Sequence, residues 1–418
     1  MTIADIRETA RALFLTGVRA ADPAQAVKRE LTANPLELAP NGRLIIVAFG
    51  KAACAMMEQS LRHVPKGQAV QAIAVTNDEN ARKIEGCKVR ASGHPLPDQR
   101  GIDAGRDIMQ LIGAATQDDR VLCLVSGGGS ALLPTPRDGL SLDDKIKVNE
   151  LLLSGGLDII QMNVVRQQLS VLKGGGLLDM AHPAKVRSLI ISDVVGDDIG
   201  AIASGPTAPA LDQLAETLTI LRSRGIWSKL PASAQNLLVT PMLATPRTAQ
   251  NTIVCSNLQS LQTIADASSD WSPQIVSHQL TGDVQAAARA IVDCARKTPI
   301  DGKQLLIWGG ETTVDISGDG RGGRNQELAV HVSALASDLP GQWVFLSGGT
   351  DGRDGPTDAA GGLVTAGTIA RSQAQNVNVI AALEDNDSYR ILDAAGDLLV
   401  IGGTGTNVAD IQLLLRTA

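Results

Sequence analysis

The feature that most constrains this chain is a unit that recurs along it: a short apolar run ending on glycine or a small polar turn, then a helical stretch. Leu44–Phe49 leads into Gly50 and Lys51, and residues 121–125 lead into Ser126, Gly127, Gly128, Gly129 and Ser130. Residues 186–192 meet Asp193, 305–308 meet Gly309, 344–346 meet Ser347 and Gly348, and 398–401 meet Gly402. Uninterrupted apolar runs rich in branched residues fit strands buried on both faces. Residues 52–61, 102–112, 158–172, 284–295 and 326–335 read as helices. So do the first thirty residues, where Ile6, Ala10, Leu13, Phe14 and Val18 recur at spacings of three and four. Strands alternating with helices predict an α/β chain with parallel sheets covered on both faces. Ligands of such sheets bind beyond the carboxyl ends of the strands, which is where the glycines gather here.

At 418 residues the chain exceeds the size at which one core keeps growing, so two domains are expected. The apolar period weakens around Pro231, Pro241 and Pro246, which puts the boundary between residues 240 and 241. Aromatics are only 2% and the formal charge is −7, with no basic run. This leaves little material for base-stacking platforms and argues against a nucleic-acid partner. The five cysteines are odd in number and never closely paired, the pattern of free thiols in a reducing compartment. The amino terminus lacks a signal peptide's basic start and apolar core. The apolar run there is too short to cross a bilayer, so a soluble cytoplasmic protein without membrane partners is expected.

Several strand ends carry residues suited to anion and metal chemistry. In residues 126–130, glycines allow successive amide N–H groups to converge on phosphate oxygens, although such loops also serve as plain strand-to-helix turns. Lys51 stands at a strand end as a compact point charge. Asp193, followed by Asp197 and Asp198, suits a magnesium ion that keeps several waters. Beyond Glu311, a glycine-rich arm brings Arg324 to a helix start at Asn325, where guanidinium, amides and helix dipole all favour an anion. Asp351, Asp354 and Asp358 share one loop, and Asp351 is a candidate general base or metal ligand. His94, in a tight Gly93–Pro97 loop, reads as structural. The usual nucleotide signatures are absent: there is no G-x-x-x-x-G-K-[ST], no strand running straight into a G-x-G-x-x-G with an acid about 20 residues later, and no protein-kinase set.

Taken together the segments resemble one family, the 2-phosphoglycerate-forming glycerate kinases with a C-terminal MOFRL-type domain. The motifs carrying the resemblance begin with Phe49-Gly50-Lys51-Ala52, Gly93-His94-Pro95-Leu96-Pro97 and the 126–133 loop. They continue with Asn163-Val164-Val165-Arg166, Lys173-Gly174-Gly175, Ile191-Ser192-Asp193 and residues 202–207. Gly310-Glu311-Thr312-Thr313, residues 322–327, 350–360 and Thr404-Gly405-Thr406-Asn407 complete the series. The resemblance implies two three-layer α/β/α domains, a Rossmann-like one over 1–240 and a smaller MOFRL-type one over 241–418, with the active site in the cleft between them. It implies transfer from ATP, with Mg2+, to the 2-hydroxyl of D-glycerate, and is compatible with a homodimer. By matching motif, Lys51 and Arg324 are carried over as the essential catalytic cations, with Asp193, Glu311 and Asp351 as acidic partners. The division of those acids is our own assignment, Asp351 as catalytic and Asp193 and Glu311 as metal ligands, with Ser126 to Ser130 and Asn407 assigned to phosphate and nucleotide binding. Gln167 and Gln168 depart from the family, which often has a basic pair there. Two other readings are a hydroxypyruvate reductase, which would need the missing dinucleotide fingerprint, and a non-catalytic sugar-acid binder.

Overall fold

The computed structural model describes residues 1–39, 41–242 and 247–418. Two compact units emerge: residues 23–254, and residues 255–418 joined by residues 1–22.

The first unit is built on a sheet of six strands: β1 (Leu44–Phe49), β2 (Val70–Thr76), β3 (Lys88–Ala91), β4 (Arg120–Val125), β5 (Lys185–Ile191) and β6 (Gln250–Cys255). Their spatial order is β3-β2-β1-β4-β5-β6. β1 pairs in parallel with β2 and β4, and β5 with β4, so that Phe49 stands opposite Val75 and Val125, and Val125 opposite Ile190. That register has a consequence for chemistry. Gly50, Ser126 and Ser192 leave the sheet at one level, and the residues after them are delivered to one place.

Alternate strand residues Ile45, Val47, Phe49, Val121 and Cys123 pack with helices Gln99–Gly113 and Gly176–Ala181. Leu44, Ile46, Ala48, Leu122 and Leu124 are equally buried and point the other way. Helix Ala53–Leu61 packs on β1, β2 and β4. A further helical layer, Leu142–Ser154, Ile159–Gln168, Leu214–Ser223 and Ala232–Val239, has its own core of Val148, Leu152, Val165, Leu169, Leu221 and Leu238. Each such fully buried leucine contributes about 2 kcal/mol by removal from water. Side chains fix where the first two of these helices begin. Ser141 accepts from Asp144 N–H, and Asp158 forms a reciprocal capping box with Gln161.

The second unit holds β7 (Pro273–Asp283), β8 (Lys303–Thr313), β9 (Gln342–Gly349), β10 (Gly361–Thr365), β11 (Leu398–Leu399) and β12 (Asp410–Thr417) in the order β11-β10-β9-β12-β8-β7. The parallel arrangement expected here does not hold. β7 and β8 are parallel, but β12 runs antiparallel to both β8 and β9, and β10 antiparallel to β9 and β11. The reason lies in the connections. No helix separates β9 from β10 or β11 from β12, and a parallel return needs a crossover of a dozen residues or more, usually helical. Layering is as expected. Leu305, Ile307, Val344, Leu346, Leu413 and Leu415 face helices Ile3–Ala20 and Asn257–Asp266. Leu306, Trp308, Phe345 and Leu414 face helices Val284–Lys297 and Arg324–Leu335.

The domain division departs from the 1–240 and 241–418 expectation at both ends. Helix Ile3–Ala20 belongs to the second unit, because its apolar stripe (Ile6, Ala10, Leu13, Phe14, Val18) closes that unit's sheet face. The division near residue 254 falls after β6 has joined the first sheet. Pro246 lies outside the described residues. Among the described residues no helix is long and apolar enough to cross a membrane, and all five cysteines are free.

Candidate active site

In the first unit the strand ends of β1, β4 and β5 bring Lys51, the 126–130 loop and Asp193 together. The loop and the Lys51 turn are tied directly: Lys51 N–H donates to the Gly127 carbonyl at 2.9 Å, and Ala52 N–H to Ser126 Oγ at 3.1 Å. Glycine is required at two points. Gly128 has φ of 81°, in the left-handed region, and a Cβ there would lie 3.1 Å from the His94 ring and 3.4 Å from Lys51 Cγ. A Cβ on Gly127 would lie 2.2 Å from Asp193 Oδ2. The acid, the lysine and the histidine therefore crowd one short stretch of bare backbone. Burial, then the nearby Lys51, holds the His94 imidazolium below its ordinary pKa, so the ring is neutral near pH 7. Burial raises the Asp193 carboxyl, and Lys51 partly offsets this. Among the described residues no side chain donates a hydrogen bond to the Asp193 carboxylate, and Lys51 acts on it through its charge alone.

Ser130 closes the loop. Its carbonyl and Oγ accept from Lys173 Nζ at 2.9 and 2.6 Å, and its Oγ lies 3.1 Å from Ser204 Oγ, which donates to Asn163 Oδ1 at 2.9 Å. The family motifs around Asn163 and Lys173 thus brace this loop. Gln167 and Gln168 do not face the site. Gln167 donates to the Gly200 and Ser204 carbonyls and accepts from Leu211 N–H, and Gln168 accepts from Met242 N–H.

In the second unit Arg324 is the centre. Its Nε and Nη2 donate to Asp410 at 2.7 and 3.0 Å, and Nη1 reaches Glu311 Oε1 at 2.7 Å. β12 explains the meeting, since Asp410 pairs in register with both Gly310 and Gly349 and so starts where β8 and β9 end. Burial works against the Arg324 charge, but Asp410, Glu311 and Asp354 more than offset it and hold the guanidinium above its ordinary range. Asp351 belongs to the same cluster: a Cβ on Gly349 would lie 3.2 Å from Asp351 Oδ1 and 3.6 Å from Asp410 Oδ1.

The other acids of the 351–358 loop have structural tasks. Asp354 caps helix Arg324–Leu335 by accepting from the amides of Asn325 (3.1 Å) and Gln326 (2.9 Å), and burial raises its carboxyl to about 6. Asp358 accepts from the Tyr389 hydroxyl at 2.9 Å. Asn407 caps its own turn, accepting from Ala409 N–H at 3.1 Å, while the adjacent Thr404 donates to the Thr350 carbonyl at 2.6 Å.

Sequence reasoning missed Asp410, whose signal was an acid at the head of the apolar run 411–415. His94, read there as structural, has its ring beside Gly128, and Lys173 was given no role. Among the described residues no three His, Cys, Asp or Glu side chains gather to hold a metal. Glu311 is engaged by Arg324, whereas Asp193 offers a carboxylate that fits a magnesium ion keeping most of its waters. Asp198 closes a local turn on Gly200 N–H. A cavity of about 870 Å³ opens at the amino ends of β1, β4 and β5, beside Leu44, Arg120 and Lys185. That is the end of the strands away from the glycine loops.

Residues 9–239 match the family described as a domain of unknown function, DUF4147, and residues 304–410 match the MOFRL family. The glycerate 2-kinase of Pyrococcus horikoshii is 34% identical over 443 residues, covering 100% of this chain and 99% of that protein. The D-glycerate 2-kinase of Thermotoga maritima is 33% identical over 97% of each chain. This chain belongs to the glycerate 2-kinase family. A crystal structure of glycerate kinase from Thermotoga maritima superposes with a TM-score of 0.90 at 32% identity, over 99% of this chain and 100% of that one. The relatives also include an Agrobacterium vitis protein named a putative hydroxypyruvate reductase, 36% identical over 98% of this chain and 94% of its own length. In this member of the glycerate 2-kinase family the Lys51 cluster falls in the DUF4147 match. The Arg324 cluster falls in the MOFRL match, with Asp410 as the last matched residue.

Proposed function

We propose that this chain is an ATP- and magnesium-dependent kinase of D-glycerate, forming 2-phosphoglycerate and ADP. The observation that supports this most is the convergence of Lys51, the bare 126–130 backbone and the open Asp193 carboxylate at three aligned strand ends. Phosphoryl transfer needs little covalent help from a protein; it needs positioning and neutralisation of spreading charge. Loop amides and Lys51 hold phosphate oxygens, and a neutral His94 adds a hydrogen-bonding group that does not compete with Lys51 for charge. Asp193 would hold magnesium, which when bound would supply further neutralisation of phosphate charge. Arg324, fixed by Asp410, presents its guanidinium to an anion, and Asp351 orients the attacking hydroxyl and takes up its proton.

The five free cysteines suit a reducing cytoplasm, and sedimentation would test a homodimer. A reductase reading draws on the Agrobacterium vitis name alone, since β1 leads into Gly50-Lys51-Ala52, and the G-x-G-x-x-G spacing at residues 318–323 stands off the end of β8, in a sheet where β12 runs antiparallel to β8, rather than in the first turn of a βαβ unit. The test is an assay with ATP, magnesium and D-glycerate that reads 2- and 3-phosphoglycerate separately. Formation of the 2-isomer is expected. No product from folded protein, or steady oxidation of NADH or NADPH by hydroxypyruvate, would overturn the proposal.

A further inference from the structure

Behind Ser130 the first unit contains a second cavity, of about 210 Å³, lined by three cations: Lys145, Arg166 and Lys173. Lys145 is buried, and its ammonium makes no hydrogen bond or ion pair among the described residues. Arg166 donates only to the neutral Asn149 Oδ1, and Lys173 only to the carbonyl and hydroxyl of Ser130. The one carboxylate on the cavity wall, Glu150, is exposed and turned to Lys147 at 3.5 Å. Leu152, Leu153, Pro95 and Pro97 supply apolar walls, and a low local dielectric strengthens any charge interaction made there.

Gathering three like charges out of water is costly unless an anion joins them. The protein relieves that cost by weakening the ammonium groups. Burial, then Arg166, pushes Lys145 down to about 8, and burial, then Lys145 and Arg166, pushes Lys173 well below its ordinary range. The helical layer already has its apolar core, and of the three cations only Lys173 has a bracing task, on Ser130. The volume corresponds to roughly seven waters at about 30 Å³ each, room for one small oxyanion group and too little for a nucleotide.

We propose that this cavity is an oxyanion subsite, in which Lys145, Arg166 and Lys173 bind one anionic group of a reactant and Ser130 links it to the 126–130 loop. Two reactants carry such a group, the carboxylate of the hydroxy acid and a phosphate of the nucleotide. Which of them enters rests on the kinase reading; the existence of the subsite does not.

The experiment is calorimetric titration of the full chain at pH 8 with D-glycerate and, separately, with pyrophosphate. Wild type, Lys145→Met, Arg166→Gln and Lys145→Arg are compared, each in two buffers of different ionisation heat. Wild type is expected to bind at least one probe with uptake of protons. Lys145→Met and Arg166→Gln should each weaken that binding at least tenfold, Lys145→Met should reduce the uptake, and Lys145→Arg should stay within about threefold of wild-type affinity. A loss confined to D-glycerate assigns the carboxylate, and a loss confined to pyrophosphate assigns the phosphate. Should Lys145→Met not fold, Arg166→Gln carries the same comparison. Wild-type affinity for both probes in the folded variants, or no binding of either probe to wild type, overturns the subsite. Binding that depends on Lys145 in a protein that fails to phosphorylate glycerate would overturn only the kinase reading.

Discussion

In the first unit Lys51, Lys145, Arg166 and Lys173 form no ion pair among the described residues, whereas in the second Arg324 is held by Asp410 and Glu311. The contrast teaches what each positive charge is for. Cations left open are available to a ligand, and their cost is carried as burial and mutual repulsion. A cation closed by acids is fixed in place and serves the fold as well as the reaction. Removing a charge should therefore read differently in the two units.

The largest effect is expected for Arg324→Ala. It leaves Asp410, which is fully buried, as an uncompensated charge, and should cost about 3 kcal/mol of stability, read by urea unfolding, together with nearly all turnover. If that variant kept wild-type stability, the view of Arg324 as a closed charge would fail. Lys51→Ala is expected to separate the two readouts. Its kcat/KM should fall at least about 100-fold, about 2.7 kcal/mol of transition-state stabilisation, while stability stays within about 0.5 kcal/mol.

Asp354 sharpens the contrast through pH. Its folded carboxyl lies at about 6, above the unfolded value near 4, so the folded state binds more protons between these limits. The corresponding stability is present below about pH 4 and is lost as pH rises through about 6, by roughly 3 kcal/mol. Asp354→Asn should flatten that slope in urea unfolding across the same range. Asp198→Ala, in an exposed turn, should change activity less than about twofold and stability by under about 0.5 kcal/mol; a large loss of magnesium dependence would instead make Asp198 a metal ligand.

Much of the first unit could be read from the chain. β1 and the glycine loop after β4 were legible because a strand buried on both faces leaves an uninterrupted apolar run. The second unit was harder. Whether β12 runs with or against β8 is set by the helix-free segments between strands and by pairings far apart in sequence, and no local pattern encodes that. Asp410 was missed for the same reason, since its meaning comes from lying opposite Gly310 and Gly349. Arg324, Glu311 and Asp351 were found because glycine-rich turns flag them, yet the sharing of duties among Asp351, Asp354 and Asp358 depends on which amides they meet.

Helix Ile3–Ala20 packs on the sheet whose central strand is β12. During synthesis that helix emerges before any of its partners, and the slot between β8 and β9 stays open until residues 410–417 arrive. For most of translation the apolar face of Ile6, Leu13 and Phe14 therefore has no native surface to cover, while the unit of residues 23–254 already has all its strands. A fragment beginning at residue 23 would inherit the reverse defect, a sheet face covered only by helix Asn257–Asp266. In this chain residues 3–20 and 410–417, far apart in sequence, mature together, and the unit between them leads.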